Sequence, residues 1–479
     1  MTGLVSTGTR ILLGAFLINF AVASTALAQD LDLDALRSGA QTGDAKAQRT
    51  LGEALVYGIG GAEQDQAAGL RLLEQAAAGG DIRAKASLGK ILLDGYYVPA
   101  DPERAVPLLE EAVAAGNARA QAALGGALLW GEHLEADPAR ARVLLGQAAQ
   151  SGDTEALRVL GEQLVGAWVF DRDVETGLPM LEQAVAKGDA KAKVALGSFL
   201  LYGTGMSPDP ARALALFEEA AEAGNGQGLE RYGAQLMWSV RNRIAAEEYL
   251  RRAGELGRGS AWTTLAEGAM YGYLAGRSRA KFDGYAEKAR AAGEERIAVL
   301  EAIRRMWGIS MRASGPGTIE ILEQAAEAGN TAALKYLIAL VRDGNHLNIR
   351  KEPDRAQAYL ERFSELLTPV EVAQLALTIE AARFRVASAY PAMAAEYDSH
   401  PELKSKWFGE QLFAANENFA VYLLQADLAR RGLYAGPVDG YANWPTLRAL
   451  WRECMTLSDN ARCADGALQR DVIGALLAR

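Results

Sequence analysis

Small and apolar residues recur along most of the chain with the spacing of paired amphipathic helices. A glycine followed by Asp, Asn or another polar residue marks each repeat, and we call it the anchor glycine. The anchors are Gly43, Gly80, Gly116, Gly152, Gly188, Gly224, Gly257, Gly293 and Gly329. They lie 37, 36, 36, 36, 36, 33, 36 and 36 residues apart. A fixed period of this length is typical of a stacked repeat architecture.

The residues between two anchors predict two helices. The first helix begins after the anchor, where Asp or Asn can cap it, and ends at a second glycine fifteen residues on, such as Gly58. The second helix opens at pairs such as Asp101-Pro102, because proline lacks an amide that would otherwise be unsatisfied there. Apolar residues at i, i+1, i+4 and i+5, as in Leu72, Leu73, Ala76 and Ala77, form one face of this second helix.

Six repeats carry an aromatic residue fourteen positions after the anchor glycine. These residues are Tyr57, Trp130, Tyr202, Trp238, Tyr271 and Trp307. Their regular recurrence favours a repeated core residue that fills the wedge toward the next turn. The alternative is a surface on which ligands stack.

The first helix, with its A-x-x-x-L-G-x-x-L-x-Y-G pattern, and the Asp-Pro start of the second helix resemble the Sel1-like repeats, which are related to tetratricopeptide repeats. The resemblance runs from about Leu31 to Phe363 and departs from the pattern at Glu301-Ala302, which replace Leu-Gly. It implies an all-α fold in which residues 29–363 form an α/α solenoid, a right-handed superhelix of about nine repeats. In that family the concave surface of the superhelix holds other proteins.

The period stops after about Ser364, and the residues that follow predict further helices. We expect residues 364–419 to form a helical cap or linker over the apolar face of the last repeat. A helix is predicted to start at Thr368-Pro369 and to run to about Ala389, and Tyr390-Pro391 is predicted to break it.

The final block, 420–479, contains a glycine-rich segment between two helical patterns. The segment Gly432-Leu433-Tyr434-Ala435-Gly436-Pro437-Val438-Asp439-Gly440, with the helix that follows it, resembles the small peptidoglycan-binding-like domain of many envelope proteins. The resemblance covers about Ala420 to Trp451 and implies a small helical domain. Its candidate glycan-binding residues are Tyr434, Asp439, Tyr441 and Trp444. The alternative is that the glycines and Asp439 only shape the turn.

Candidate chemistry in this sequence is sparse. Cys454 and Cys463, nine residues apart, are predicted to form a disulfide that closes a short loop in the tail. With three histidines and this one cysteine pair, we expect no metal site and no cofactor. Because the motifs of hydrolases, zinc proteases and phosphate-binding loops are absent from the sequence, we expect no enzymatic activity.

The first thirty residues are typical of a secretory signal. Arg10 precedes an apolar run from Ile11 to Val22, and Ala26-Leu27-Ala28 provides a cleavage site, so residues 1–28 are predicted to be removed. A membrane anchor, which is the alternative, needs about 20 apolar residues. No later segment is predicted to span a membrane, and the mature chain is expected in the periplasm. A net charge of −10 argues against nucleic acid as a partner.

Together these features predict a non-enzymatic periplasmic scaffold or adaptor. Its solenoid would bind envelope proteins, in cell-envelope assembly or in exopolysaccharide assembly and secretion of the alginate type. One alternative is a protein that binds peptidoglycan or an exported polysaccharide, with the repeats as a spacer. Another is a periplasmic regulator of an envelope sensor.

Overall fold

A computed structural model describes residues 31–131, 133–238, 242–274, 279–384, 386–457 and 461–479. The predicted signal segment therefore lies outside the described residues. Every regular element within the described residues is a helix, and the helices from α2 onward follow one another as stacked pairs, which is an α/α solenoid. The chain divides into two compact units, the first ending at Leu157 and the second beginning at Arg158. Each unit is described by itself below.

The first unit contains a lead helix and three complete helix pairs. Its helices are α1 (Leu33–Gln41), α2 (Ala45–Tyr57), α3 (Gln66–Ala78), α4 (Ile82–Asp94), α5 (Pro102–Ala114), α6 (Ala118–Trp130) and α7 (Pro138–Gln150). The two helices of each pair pack together, and the first helices α2, α4 and α6 also contact one another in turn. The division between the units falls inside α8 (Thr154–Gly166).

The second unit continues the pattern of helix pairs. Its repeat helices are α9 (Val174–Ala186), α10 (Ala190–Tyr202), α11 (Pro210–Glu222), α12 (Gly226–Leu236), α13 (Arg243–Glu255), α14 (Gly259–Tyr271), α15 (Arg279–Ala291), α16 (Arg296–Trp307), α17 (Gly315–Glu327), α18 (Thr331–Asp343) and α19 (Pro353–Arg362). Here too a first helix contacts the next first helix, as α10 does with α12 and α16 with α18. The shortened repeat keeps both helices, and its α12 has 11 residues where α10 has 13.

The helix ends confirm the predicted capping. Asp81 precedes α4, and its Oδ1 accepts a hydrogen bond from the amide of Ala84 at 2.8 Å. Asp209 caps the second helix α11 in the same way, with Pro210 in the first turn. At the other end of the first helices, Gly203 takes the left-handed conformation (φ 68°, ψ 30°), which glycine adopts without steric cost.

The glycine nine residues after the anchor lets the two helices of a repeat approach closely. A Cβ built on Gly197 would lie 2.7 Å from Cε1 of Phe217, and a Cβ on Gly89 would lie 2.7 Å from Cγ of Leu109. Both Phe217 and Leu109 are fully buried. Close packing between the two helices of a repeat therefore explains why these glycines recur at a regular spacing along the chain.

The C-terminal helices are α20 (Pro369–Arg383), α21 (Tyr390–Ser399), α22 (Lys406–Ala415), α23 (Glu417–Arg430), α24 (Trp444–Cys454) and α25 (Arg470–Leu477). A capping box between Thr368 and Glu371 starts α20, which packs against α19. The helix predicted to run to about Ala389 ends earlier, at Arg383. A new helix, α21, begins at Tyr390 with Pro391 in its first turn, where its missing amide is tolerated.

Residues 364–419 and 420–479, which we expected to be separate segments, share one hydrophobic core. The core runs from Leu377 on α20 through Phe408 and Phe419 to Leu477 on α25. The helix α22 contacts α20, α23 and α25. A cut at 419/420 would therefore divide a packed core rather than remove an independent domain.

Candidate functional site

The first helices share a face formed by the residues 3, 7, 10 and 14 positions after the anchor glycine, and this face is polar in several repeats. These spacings place the four residues one above another on a helix. In the fifth repeat they are Lys191, Ala195, Ser198 and Tyr202, none of which is buried. We call this surface the first-helix face.

In the first unit, charged pairs between repeats fill the first-helix face. Arg119 of α6 donates to Glu53 Oε1 of α2 and to Ser87 Oγ of α4, each at 3.3 Å. Lys90 of α4 bonds to Glu155 Oε1 at 3.2 Å. Burial alone would lower the pKa of Lys90, but the nearby carboxylates raise it above its usual value. This part of the face is therefore satisfied by contacts within the chain.

The repeated aromatic residues belong to the same face, at its position 14. The prediction that they are core residues was wrong for five of the six. The exposed members are Trp130 (52%), Tyr202 (63%), Trp238 (67%), Tyr271 (36%) and Trp307 (55%). Tyr57 is half-buried, and its ring lies edge-on to Tyr97 with centroids 5.1 Å apart.

The spacing of position 14 along the sequence indicates this exposure. Position 14 follows positions 3, 7 and 10 by eleven, seven and four residues, which is the spacing of one helix face. Those positions carry polar residues such as Arg119, Lys191 and Glu162 in several repeats. An aromatic residue in register with them is expected to face away from the core.

The second unit gathers several of these rings. Trp238 and Tyr273 have ring centroids 5.0 Å apart, and Tyr273 lies 5.9 Å from Tyr271. We call Trp238, Tyr271 and Tyr273 the aromatic cluster. Burial is the main cause that raises the pKa of Tyr271, so its hydroxyl stays protonated at neutral pH. The cluster offers flat apolar surface and neutral hydroxyl groups, which suits binding rather than acid–base chemistry.

In the C-terminal region the predicted site residues separate into an inner and an outer group. Tyr434 was expected to be exposed and is 8% exposed; its hydroxyl contacts Pro437 O and Thr446 Oγ1, each at 2.9 Å. Asp439 Oδ1 accepts from the amide of Tyr441 at 2.9 Å, which fixes the turn. Tyr434 therefore packs in the core, and the contacts of Asp439 are those of a turn residue.

One buried amide, Gln425, organises this turn, and sequence reasoning assigned it no role. Its Oε1 accepts from the amides of Asp439 at 3.0 Å and Gly440 at 2.7 Å. Its Nε2 donates to Tyr441 O at 3.0 Å and Thr446 Oγ1 at 2.9 Å. Gln425 is fully buried, so the turn conformation depends on these bonds.

The outer group is on the surface. Tyr441 is 60% exposed and Trp444 is 69% exposed. Trp444 lies on α24 beside a mainly apolar cavity of about 520 Å³ that Trp451, Arg448 and Arg452 also line. The guanidinium of Arg448 lies 5.8 Å from the centroid of the Trp444 ring. Two exposed indoles and two cations thus share one side of this helix.

The remaining candidate pair is structural in character. Cys454 and Cys463 form a disulfide, with Cα atoms 5.9 Å apart, and both are buried in the C-terminal core. Among the described residues no cluster of three His, Cys, Asp or Glu side chains is arranged to hold a metal ion. In the same residues, none of the helices is long and apolar enough to cross a bilayer.

Comparison with protein families finds the repeat pattern directly. Residues 45–81, 82–117, 118–153, 190–225 and 230–257 each match the Sel1 repeat family model. These five segments of the chain match Sel1 repeats. Sel1 repeat proteins generally mediate protein–protein interactions and are typically not catalysts. A comparison with curated proteins finds no match.

Solved structures with similarity to this chain include two Sel1 repeat proteins. One, from Oxalobacter formigenes, is 25% identical over 64% of this chain and 90% of its own, with a TM-score of 0.41. Another, from Klebsiella pneumoniae, is 23% identical over 42% of this chain and 97% of its own, with a TM-score of 0.33. A protective antigen of uropathogenic Escherichia coli, c5321, is 17% identical over 94% of both chains, with a TM-score of 0.45.

Proposed function

We propose that this protein is a non-enzymatic adaptor of the periplasm that holds other envelope proteins against the first-helix face of its Sel1 repeats. The observation that carries the proposal is the row of exposed Trp and Tyr residues at position 14 of that face. Trp and Tyr supply most of the binding energy in many protein interfaces, and exposed apolar patches mark such interfaces. The signal-like first thirty residues support an exported location.

The envelope process that the adaptor serves is part of the same proposal. Assembly of the cell envelope, or assembly and secretion of an exopolysaccharide of the alginate type, fits an exported repeat protein. A regulator of an envelope sensor is a narrower version, in which the face releases a single partner reversibly. Stable assembly is favoured because the aromatic residues recur over several repeats, which suits an extended interface.

The test is crosslinked affinity purification of the full mature chain from its own envelope. The aromatic cluster is removed by Trp238→Ala with Tyr271→Ala, and Tyr96→Ala is the control because Tyr96 is 87% exposed and lies off the first-helix face. We expect the double variant to lose captured envelope proteins that the control retains. If both variants retain the same proteins, the first-helix face is not the binding surface.

A second candidate function rests on the outer group of α24. Exposed Trp444 and Trp451 offer ring faces on which sugars can stack, with Arg448 and Arg452 beside them for acidic groups. We propose peptidoglycan or an exported polysaccharide as the ligand. Trp444→Ala with Trp451→Ala should abolish retention on purified sacculi, whereas Leu433→Ala, at another exposed apolar residue, should not. Point variants are required, because deleting 420–479 would open the shared core.

A further inference from the structure

A second feature of the first-helix face is a polar cavity between α8, α10 and α12. The cavity has a volume of about 270 Å³. Its charged lining residues are Arg158, Glu162, Lys191 and Arg231, and Trp168 and Phe199 form part of its apolar wall. A volume slightly below the roughly 300–1,000 Å³ of small-molecule pockets suits one or two side chains of a partner.

Only one of the three cations in this cavity makes a direct ion pair within the described residues. Arg158 is engaged, since its Nη1 donates to Glu162 Oε1 at 3.1 Å and its Nε lies 3.8 Å from a carboxylate oxygen of Asp189. Within the described residues, Lys191 and Arg231 make no ion pair. Burial raises the pKa of Glu162, and the nearby charges of Arg158 and Lys191 oppose that shift.

The first unit shows how the equivalent positions pair when an arginine is present. There, Glu53 at position 10 accepts from Arg119, which stands at position 3 two repeats later. Glu162 also occupies position 10, and position 3 two repeats later is Gln227. Gln227 lines the cavity and supplies no cation to Glu162. The position that carries an arginine beside Glu53 in the first unit therefore carries a glutamine at this cavity.

The unpaired positive charge is local rather than a continuous track. Further along the second unit, cations are paired within the chain: Arg258 with Glu230, Arg296 with Glu267 and Lys335 with Glu371. A long polyanion needs a run of available cations. A single cationic cavity with an apolar wall, in a chain of net charge −10, suits an isolated acidic residue beside an apolar one.

We propose that this cavity receives a carboxylate side chain from an acidic segment of a protein partner, held by Lys191 and Arg231. The apolar wall at Trp168 and Phe199 then covers the partner residue next to the carboxylate. This inference rests on the proposed adaptor function and names the chemistry of the partner. It adds a second partner contact in the second unit, at a cavity distinct from the aromatic cluster.

The test measures fluorescence anisotropy of a labelled hexaglutamate peptide titrated with the full mature chain at low salt, with labelled hexaglutamine as the neutral comparison. We expect hexaglutamate alone to bind. Lys191→Glu should weaken binding roughly tenfold, because it removes an attraction and adds a repulsion. Arg350→Glu, an equal charge change at another exposed residue of the unit, should leave the affinity within about twofold.

The most informative variant is Gln227→Arg, which adds positive charge. We expect it to weaken hexaglutamate binding at least about fivefold, because the new guanidinium would pair with Glu162 and fill the cavity, as Arg119 does with Glu53. Tighter or unchanged binding by Gln227→Arg would overturn the proposal, since it would show attraction by net charge alone. Equal weakening by Lys191→Glu and Arg350→Glu would overturn it as well. Circular dichroism checks that each variant is folded.

A competition experiment with an acidic oligosaccharide tests whether the ligand is a glycan rather than a protein segment. Oligogalacturonate and unlabelled hexaglutamate are each used to displace labelled hexaglutamate. If oligogalacturonate does so at lower concentrations, the assignment to a protein segment is overturned and an acidic glycan is favoured. The peptide titration does not depend on envelope capture, so failure of the proposed function leaves it readable. Conversely, the double variant Lys191→Glu with Arg231→Glu could retain all captured envelope proteins while Trp238→Ala with Tyr271→Ala loses them. That result would support the adaptor function and overturn this inference.

Discussion

The buried amide of Gln425 provides the sharpest test of how the C-terminal turn is held. The substitution Gln425→Met keeps the length of the side chain and removes its hydrogen-bonding groups. The amides of Asp439 and Gly440 then lose their shared acceptor. Since no other acceptor for these amides is placed in the turn, we expect local opening of the turn rather than a change elsewhere in the fold.

The size of the effect follows from the two lost acceptors. The bond to Gly440 is buried, and the bond to Asp439 is partly buried. An unsatisfied buried amide costs about 1–3 kcal/mol, and partial access to water reduces the cost at Asp439. The two together should destabilise the turn by about 2–4 kcal/mol. At 1.4 kcal/mol for each factor of ten, this corresponds to local opening that is roughly 30-fold to 700-fold more frequent.

Hydrogen exchange of the full chain, read by mass spectrometry on peptides covering residues 431–446, measures this opening. A matched control is Gln374→Met, because Gln374 is also buried but only donates, to Leu403 O at 2.7 Å and Ser405 Oγ at 3.3 Å, and accepts from no backbone amide among the bonds of the described residues. Its effect should be smaller and confined to residues near Leu403. Exchange of the 431–446 peptides within threefold of wild type in Gln425→Met would refute the reasoning.

A second substitution, Gln425→Glu, makes the result depend on pH. The introduced carboxyl keeps an acceptor for the two amides but faces Tyr441 O and the Asp439 carboxylate. Burial and this carboxylate raise its folded pKa above the unfolded value. The stability it contributes is therefore present below the unfolded pKa and is lost as the pH rises through the folded pKa. Exchange should be closer to wild type at pH 4.5 than at pH 7.5.

Three further predictions concern packing, the disulfide and acid stability. Gly197→Val places Cβ 2.7 Å from a phenylalanine ring of α11, and overpacking should destabilise the second unit by about 1–3 kcal/mol in urea unfolding; an unchanged midpoint would contradict it. Cys454→Ser with Cys463→Ser opens a loop of separation 9, and should cost roughly 2–3 kcal/mol, seen as a lower melting temperature of the C-terminal core. Glu371 bonds to a lysine of α18, which lowers its pKa below 4.5; its stabilisation holds above that pH and is lost as the pH falls through the lowered pKa, so Glu371→Gln should flatten the acid side of the stability curve.

The repeat architecture could be predicted from sequence because its determinants are local. Each anchor glycine, each capping Asp or Asn and each Asp-Pro pair acts within a few residues of its own position. The 36-residue period then places equivalent helices in equivalent surroundings, so the helices identified in one repeat predict those of the others. For the same reason the shortened repeat before Gly257 still forms both of its helices.

Recurrence alone could not decide whether the aromatic residues at position 14 are buried or exposed. A residue that repeats in register can be repeatedly buried or repeatedly exposed, and only the orientation of the helix distinguishes the two. Tyr202 is exposed because the buried residues of α10 lie on other sides of the helix. Helix-face spacing in the sequence contained this information, whereas the contacts within the aromatic cluster required the fold.

In the C-terminal region the sequence determined the turn, and the tertiary structure decided which of its residues remain available to a ligand. Tyr434 is buried and its hydroxyl contacts Thr446 of α24, whereas Gln425 reaches the turn from α23. Both roles therefore depend on helices that meet only in the folded chain. The cavity beside Gln227 also depends on tertiary structure. Stacked repeats bring Glu53 and Arg119, 66 positions apart, into contact, and only such a contact gives the glutamine at the equivalent position its significance. Local signals fix helices and turns, and packing over longer separations fixes which side chains reach the surface.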